Sequence, residues 1–344
     1  MASRHAVLAV SVATLLGVSM LTYSPPGEAA AAECDRACLT GIAEKYVAAM
    51  LAHDPGKAPI ARGTRYTENG VELPLPDGLW RTVGSIGPYR LFVADPKESA
   101  IGFIVKAQEN DAPVLVSTRL KVANGQITEI ESYAARLSNT TGGAVAALLG
   151  ADILGDAPRK QFVTAVAPAQ RRTREQLAAI VNSYFTGLEN NTGDKVPNFA
   201  DDCLRIENGS QTTGRPVTGD AKPGPLNYPC KQAFGLGYYR EDTRLRNRRI
   251  LAVDEERGLV MAGVFFDHDG TVRSYQVKDG RTVTVRNTAP WTWAIHEFFQ
   301  VNAAGQISQV EAVLLSVPYG MRPGFSTGVH MPSPQAQKDG FKEY

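Results

Sequence analysis

The sequence predicts an α+β protein made of two tandem copies of one fold. Three observations lead to this prediction: short sequence matches recur in the same order in both halves, each half opens with a helical pattern, and strand-like runs separated by turn signals follow. The composition, 43% hydrophobic and 21% charged among 344 residues, is typical of a globular chain and excludes wholesale disorder. We therefore expect a first copy at residues 33–137 and a second copy at residues 173–317.

Four pairs of short segments define the repeat. The most informative pair ends in Glu-Asn-Gly, which is typical of a strand followed by a turn. The pairs are Tyr66–Gly70 with Arg205–Gly209, Tyr46 and Pro59 with Tyr184 and Pro197, Val93–Asp95 with Ala252–Asp254, and Gly125–Glu131 with Gly305–Glu311. Four matches in one order predict that the copies superpose, with Glu68 over Glu207.

Residues 1–32 are predicted to form a cleavable secretory signal peptide. Basic Arg4 precedes an apolar run, and Ala29–Ala32 offers a cleavage site of small residues. A retained membrane anchor is the alternative, but small residues follow the run where a stop-transfer segment would carry basic ones. We expect a secreted protein, with no membrane association after removal of the signal.

The four cysteines are expected to form disulfides, because export leads to an oxidising compartment. Cys203 and Cys230 bracket a stretch rich in Gly and Pro, and Cys34 lies close to Cys38. A metal site is the alternative, but no histidine lies near these cysteines in sequence. We expect no metal and no cofactor. Lys and Arg total 36 against 35 Asp and Glu, so the charge gives no reason to expect nucleic acid as a partner.

In the first copy, apolar residues from Leu39 to Leu51 recur at helical spacing, and His53-Asp54-Pro55-Gly56 ends the helix. Turn signals, including Asn124-Gly125, separate the strands that follow. The predicted strands are Tyr89–Ala94, Ile101–Lys106, Val114–Val122 and Ile127–Ala134.

In the second copy, the predicted helix is Gln176–Leu188, and strands follow in the same way. Residues 138–172 are expected to link the copies, with a short helix at Ala144–Leu149. Residues 318–344 form a tail rich in Gly, Pro and polar groups, wrapped on the surface or partly disordered. The predicted strands are Arg248–Val253, Leu259–Asp267, Thr282–Arg286, Thr292–Val301 and Ile307–Leu315.

The chain resembles secreted bacterial and fungal proteins with tandem SnoaL-like domains, of the nuclear transport factor 2-like superfamily that includes ketosteroid isomerase. The segments that carry the resemblance are Thr243–Arg249, Val253–Glu256, Val264–His268, Thr67–Gly70, Gly78–Trp80, Val310–Val313 and Pro318–Met321. The resemblance implies two cone-shaped domains, each a helix packed on a strongly curved antiparallel sheet around an apolar pocket. Some superfamily members perform acid–base chemistry there and others are not enzymes, so no particular reaction follows.

No established catalytic signature is present, which leaves cofactor-independent chemistry or simple binding. Glu207 precedes Asn-Gly; a carboxylate half-buried in an apolar cone would have a raised pKa and could act as a base. His268 ends an apolar strand, and an imidazole suits proton transfer at neutral pH. For both residues the alternative is a polar rim beside a turn.

His296 lies within Trp291–Phe299, whose alternation puts the tryptophans and Glu297 on one face and His296 on the other. If the tryptophan face lines the pocket, Glu297 is inside and His296 lies at an interface. If that face packs on the helix, His296 faces the cavity as a third catalytic candidate. The sequence leaves both arrangements open.

Arg244, Arg246 and Arg248 alternate along a predicted strand and are expected to share one face. Such a row would bind a substrate anion, because guanidinium groups bind oxyanions bidentately. The alternative is an exposed edge paired with Glu255 and Glu256. The aromatic residues Trp291, Trp293 and Tyr319 are candidates for stacking on a sugar or aromatic ligand, with ordinary core packing as the alternative.

Two functions fit this pattern. The first is a secreted, cofactor-independent acid/base enzyme of lyase, dehydratase or isomerase type, acting on a small anionic, sugar-derived or aromatic substrate in the second copy. The second is a non-catalytic secreted protein that binds a ligand or is structural. The expected partner is a small molecule or oligosaccharide, and the sheet faces could allow self-association.

Overall fold

The computed structural model describes Met1 and residues 34–140, 154–220 and 222–340. The predicted signal peptide and the predicted linker helix Ala144–Leu149 lie outside the described residues. Residues Glu33–Tyr344 form one compact unit that contains both copies. The fold is α+β, with two seven-stranded sheets and short helices, as the sequence predicted. Within the described residues, no helix has the length and apolarity needed to cross a membrane.

The first copy begins with its helix and continues into strands, in the predicted order. Three strands before residue 87 are not among the predicted ones, because the run from Ile60 mixes exposed and buried positions without strict alternation and the other two strands are short. The elements are α1 (Arg36–Leu51), β1 (Ile60–Glu68), β2 (Val71–Glu72), α2 (Leu79–Thr82), β3 (Val83–Ile86), β4 (Leu91–Asp95), β5 (Ala100–Glu109), β6 (Ala112–Ala123) and β7 (Gln126–Ala135).

The second copy follows a short helix, α3 (Lys160–Val163), and repeats the same order of a helix followed by strands. A small hairpin, β12–β13, is inserted between the long strands β11 and β14. The elements are α4 (Arg174–Leu188), β8 (Phe199–Glu207), β9 (Ser210–Gln211), α5 (Cys230–Leu236), β10 (Arg244–Asp254), β11 (Leu259–His268), β12 (Ser274–Gln276), β13 (Thr282–Thr284), β14 (Trp291–Val301), β15 (Ile307–Val317), β16 (Val329–Met331) and α6 (Pro334–Lys338).

The two large sheets have the same topology. The order β2-β1-β7-β6-β5-β4 of the first copy corresponds to β9-β8-β15-β14-β11-β10 of the second. In each sheet the first long strand pairs in parallel with the last, and the other pairs along this path are antiparallel. Glu68 lies opposite Ser132 and Glu207 lies opposite Ala312, so the two glutamates occupy equivalent positions in the register of the shared strands.

The repeated Glu-Asn-Gly motif explains why this register recurs. Asn69 and Asn208 both adopt positive φ, as do the glycines that follow them, which builds a tight turn between two strands. The side-chain oxygen of Asn69 accepts a hydrogen bond from the backbone of Ala134, and that of Asn208 accepts one from Leu314. The same amide therefore fixes the turn to the last long strand in both copies.

Each copy has an apolar core between its helix and its sheet, and a third apolar cluster joins the outer faces of the two sheets. Reciprocal ion pairs flank this contact. Arg36 at the start of α1 pairs with Asp254 of the second copy, and Arg174 at the start of α4 pairs with Asp95 of the first. The arginines and the aspartates are repeat equivalents, so the copies are related by a pseudo-twofold axis.

A buried charged cluster lies within the contact between the sheets. Arg249 binds Glu131 with both terminal nitrogens, at 2.6 and 3.1 Å, and each side chain is at most 1% exposed. The ring of His296 stacks on Tyr133 with centroids 4.0 Å apart. The contact therefore joins the copies through both apolar packing and a buried ion pair.

The tail is more ordered than the sequence predicted. Its strand β16 pairs with the edge strand β10, and the ring of Phe325 lies under the guanidinium of Arg65 in the first copy. The carbonyl oxygens of Thr327 and Pro332 accept hydrogen bonds from Arg249 and Arg248. The segment is held because buried guanidinium groups of β10 find acceptors on it, a long-range requirement that its own composition does not reveal.

Both disulfides are present as predicted. Cys203 on β8 is bonded to Cys230 at the start of α5, with Cα atoms 5.9 Å apart, and Cys34 is bonded to Cys38. The larger closed loop carries Thr212, Pro225 and Leu226 to positions beside the second sheet.

Candidate functional site

A cavity of about 190 Å³ lies inside the second copy, between one face of its sheet and two covering segments. The hairpin β12–β13 contributes Tyr275 and Val283, and the disulfide-closed loop contributes Pro225 and Leu226. The polar lining residues are Arg205, Glu207, Thr212, Tyr239, Glu241, Asp242, His268 and Glu297, and the apolar ones include Phe266, Trp293, Ile295 and Leu314. The cavity is therefore mostly apolar, with convergent ionisable groups.

His268 ends β11 and projects into this cavity. Its Nε2 lies 2.8 Å from a carboxylate oxygen of Asp242, and its ring stacks on Trp291 with centroids 4.0 Å apart. The other ring nitrogen, Nδ1, is buried and has no hydrogen-bond partner among the described residues. In the neutral imidazole Asp242 holds the proton on Nε2, which leaves the Nδ1 lone pair to accept a proton.

Glu297 projects from the middle of β14 and is only 3% exposed. One of its carboxyl oxygens has no hydrogen-bond partner in the described part of the chain. Burial raises the pKa of Glu297 to about 8; the Arg205 cation opposes the shift and the Glu207 charge adds to it. Near neutral pH this side chain is therefore mostly a carboxylic acid that can donate a proton.

Glu207, at the end of β8, is paired inside the same cavity. Arg205 donates to its Oε1 at 2.7 Å and Thr212 donates to the same oxygen at 3.1 Å. The Arg205 guanidinium lies over the Tyr239 ring, at 5.1 Å, and donates to the Tyr239 hydroxyl. This side of the cavity therefore carries an ion pair with a fixed geometry.

Two more polar atoms of lining residues lack a hydrogen-bond partner within the described part of the chain, Arg205 Nε and Trp293 Nε1. Glu241 is satisfied, since it accepts a hydrogen bond from Tyr275 at 2.7 Å. Burial raises the pKa of Glu241, and the Asp242 charge adds to that shift. Unpartnered buried polar atoms are costly in a folded protein, and their concentration around one cavity is typical of a ligand site.

The arginine row is not brought to this cavity. A bulge interrupts β10 between Arg246 and Arg249, and Asn247 adopts positive φ there, so the alternation fails. Arg244 and Arg246 both bind Asp267, on the face of β11 opposite His268. Arg248 instead pairs with Glu189 after the helix α4. All three are buried in ion pairs that hold the edge of the sheet, and neither Glu255 nor Glu256 is among these partners.

The tryptophan face of β14 lines the cavity, so His296 lies at the contact between the copies. Its Nδ1 is 3.0 Å from the Ser117 hydroxyl and its Nε2 is 3.8 Å from Glu131. Burial lowers the pKa of His296, and Glu131 opposes the shift. Of the two arrangements that the sequence allowed, the first is present, and His296 does not reach the cavity.

The predicted aromatic residues separate in the same way. Trp293 lines the cavity, and Trp291 supports the His268 ring from behind. Tyr319 lies outside, where its hydroxyl accepts a hydrogen bond from Arg244. Trp293 is therefore the one of the three in position to stack on a ligand.

The equivalent space in the first copy is filled. Trp80 is fully buried there and donates to the Tyr46 hydroxyl at 3.3 Å. Register equivalence replaces Glu297 by Thr118, which bonds to Ser132, and replaces His268 by Glu109. The first copy therefore lacks the acid and the base of the second.

The sequence analysis did not find Asp242 or Arg205. Asp242 lies in a loop and reaches His268 only through the fold, so no periodic signal marks it. Arg205 alternates with Glu207 on one face of a strand, and that spacing could have identified it. Among the described residues, no group of three or more His, Cys, Asp or Glu side chains could hold a metal ion.

A family model described as a domain of unknown function, DUF8021, matches residues 170–314, which include nearly all of the second copy. No curated protein matches the chain. Nine chains of solved structures match it. One is AclR, a proposed hydroxylase from Streptomyces galilaeus, with 14% identity over 30% of this chain and 81% of that chain. Its TM-score of 0.22 supports no argument about this protein.

Proposed function

We propose that the second copy is a cofactor-independent acid–base enzyme of lyase, dehydratase or isomerase type. His268, oriented by Asp242, removes a proton from a substrate carbon or hydroxyl. Glu297 returns a proton to the leaving group or to the neighbouring atom. Asp242, His268 and Glu297 belong to the second copy, and the first copy has a structural role.

One observation carries the proposal: His268 and Glu297 line one cavity, and each has a buried polar atom that no described residue satisfies. Nδ1 of His268 is buried beside the cavity, where a bound substrate could be its partner. A buried carboxyl group with a raised pKa beside a histidine is an arrangement that separates an acid from a base. The support is geometric and does not depend on any relative.

Lining and size favour a small, partly apolar substrate. Phe266, Trp293, Ile295 and Leu314 offer flat and aliphatic walls, while Thr212 and Tyr239 offer polar contacts. Of the substrates expected from the sequence, this lining suits a sugar-derived or aromatic one. A small anion is less favoured, because the three arginines proposed to bind it lie elsewhere and four carboxyl groups line the cavity.

The cone shape of each copy and the resemblance to tandem SnoaL-like proteins belong to the same proposal. The repeated topology and the cavity between helix, sheet and covering segments support both. Secretion is supported by the two disulfides.

The test is hydrogen exchange catalysed by the protein. Lignin-derived aromatics and uronic or neutral oligosaccharides are incubated with it in D2O, and proton NMR follows loss of C–H signals and new double bonds. We expect exchange or turnover with at least one compound, abolished in both His268→Ala and Glu297→Gln. Tyr319→Phe is the matched control, since Tyr319 lies outside the cavity, and it should retain the rate.

A non-catalytic ligand-binding protein is the second candidate function. It would be favoured if compounds bind in the cavity, as measured by calorimetry, while none exchanges protons above the rate of His268→Ala. Unchanged rates in both variants would discard this pair of residues as the acid and the base.

A further inference from the structure

In the first copy, a cation binds the carboxylates of Glu68 and Glu109 in the space that corresponds to the cavity. Glu68 is the register equivalent of Glu207, and Glu109 that of His268. Arg136 bridges the two glutamates: one terminal nitrogen lies 2.7 Å from Oε1 of Glu68 and 2.9 Å from Oε1 of Glu109. One planar cation therefore spans the two positions that Glu207 and His268 occupy in the second copy.

Glu68 and Glu207 differ in how many of their carboxylate oxygens are bonded. Tyr66 and the backbone of Leu79 both donate to Oε2 of Glu68, and Arg136 takes the other oxygen. In the second copy, Arg205, the equivalent of Tyr66, donates with Thr212 to a single oxygen of Glu207. The second oxygen of Glu207 makes no hydrogen bond to any described residue, and the equivalent of Arg136 is Ser316, whose short neutral side chain cannot supply a cation.

The charges that line the cavity favour a cationic N–H group at this position, like the Arg136 guanidinium of the first copy. Four carboxyl groups line it, and Arg205 is the one guanidinium among its lining residues. Oε2 of Glu297 and Nδ1 of His268 are two atoms of the lining that have no hydrogen-bond partner among the described residues. A hydrogen-bond donor on a ligand would therefore find acceptors on this side of the cavity, besides the acid Glu297.

We propose that the ligand of the second copy carries a cationic N–H group, an amidinium, guanidinium or ammonium, which binds the second carboxylate oxygen of Glu207 where Arg136 binds Glu68 in the first copy. This inference rests on the proposed function for the site, and it names the class of substrate. The apolar remainder of the ligand lies against Trp293 and Leu314.

Three isosteric probes test the charge: benzamidine, benzamide and benzoate, which are cationic, neutral and anionic at pH 7. Calorimetric titration of the full mature chain is expected to show benzamidine binding about 10- to 100-fold more tightly than benzamide, the usual range for a charge-assisted contact, with benzoate weakest. Glu207→Gln should remove the preference for benzamidine. Glu311→Gln, the same change on the opposite face of the sheet, should retain it.

Ser316→Arg is a second, independent variant, because it supplies the second copy with the guanidinium that fills the first. It should stay folded by circular dichroism and lose benzamidine binding. Equal or tighter binding of benzamide or benzoate, binding of no probe, or a benzamidine preference that survives Glu207→Gln would each overturn the cation assignment. Such results leave the acid–base proposal standing, because hydrogen exchange in His268→Ala and Glu297→Gln judges it separately.

Discussion

The hydroxyl oxygen of Ser117 lies 3.0 Å from Nδ1 of His296, and the two residues occupy equivalent positions in the two copies. A contact between equivalent residues occurs where a pseudo-twofold axis passes. Gly102 and Met261 are a second equivalent pair, and a Cβ on Gly102 would lie 2.1 Å from the Met261 sulfur. The contact between the copies is therefore matched residue by residue.

Arg249→Met should destabilise the protein by about 3–5 kcal/mol, the range for removing one partner of a buried ion pair. Burial would raise the pKa of Glu131, but Arg249 and His296 outweigh it and hold that pKa well below its usual value, so the carboxylate would be left charged and unpaired. Urea unfolding at pH 7 measures the loss. The double variant Arg249→Met with Glu131→Gln should recover part of the lost stability. Equal losses in the single and the double variant would contradict the importance of this ion pair.

Glu297→Gln should raise stability relative to the wild type at high pH and not at low pH. Because the folded-state pKa is raised to about 8 from 4.5, the wild-type folded state binds the proton more tightly and loses stability as pH rises through that window. At about 1.4 kcal/mol per pKa unit, the difference reaches at most several kcal/mol. Unfolding free energies of both proteins at pH 4 and pH 9 provide the comparison; a constant difference would argue against a buried, protonated Glu297.

On any substrate found by hydrogen exchange, His268→Gln should lower kcat by about 10²- to 10⁴-fold, the usual contribution of a general base. Asp242→Asn should also lower kcat, because an amide no longer holds the proton on Nε2. The wild-type rate should decline above about pH 8 as Glu297 loses its proton. A wild-type rate that does not decline in this range would contradict the assignment of Glu297 as the acid.

Replacing Cys203 and Cys230 together by serine should cost roughly 3–4 kcal/mol on the chain-entropy model, since the bond closes a loop of sequence separation 27. The matched control is Cys34→Ser with Cys38→Ser, whose separation of 4 predicts a cost nearer about 2 kcal/mol. Thermal melts compare the pairs. The larger loop also carries Leu226 over the cavity. Removing the Cys203–Cys230 disulfide should therefore weaken benzamidine binding, whereas removing the Cys34–Cys38 disulfide should leave binding unchanged.

Sequence patterns predicted the parts of the fold that local chemistry determines. The helix at Arg36–Leu51 follows from apolar spacing, and the hairpin at Asn124-Gly125 follows from two residues with positive φ. The Glu-Asn-Gly repeat predicted equivalent strands because its asparagine performs the same bonding in both copies. By contrast, the bulge at Asn247 depends on which carboxylates form ion pairs with the arginines of β10. No local sequence pattern predicts those partners.

The candidate site was predicted in part for the same reason. His268 and Trp293 follow from strand alternation, and Glu297 follows once the tryptophan face is known to be the inner one. Asp242 reaches His268 from a loop. The three arginines do not line the cavity, because they form ion pairs with Asp267 and Glu189. These are pairings between residues distant in sequence, which only the assembled sheet creates.

The pairing of β16 with β10 affects the order in which the chain becomes stable. A ribosome makes residues 318–340 after every strand of the second sheet except β16, yet their carbonyl groups complete the hydrogen bonding of Arg248 and Arg249. A nascent chain that stops short of this segment must hold two buried cations with incomplete acceptors. The edge strand β10 therefore reaches its full hydrogen bonding only after residues 318–340 have been made.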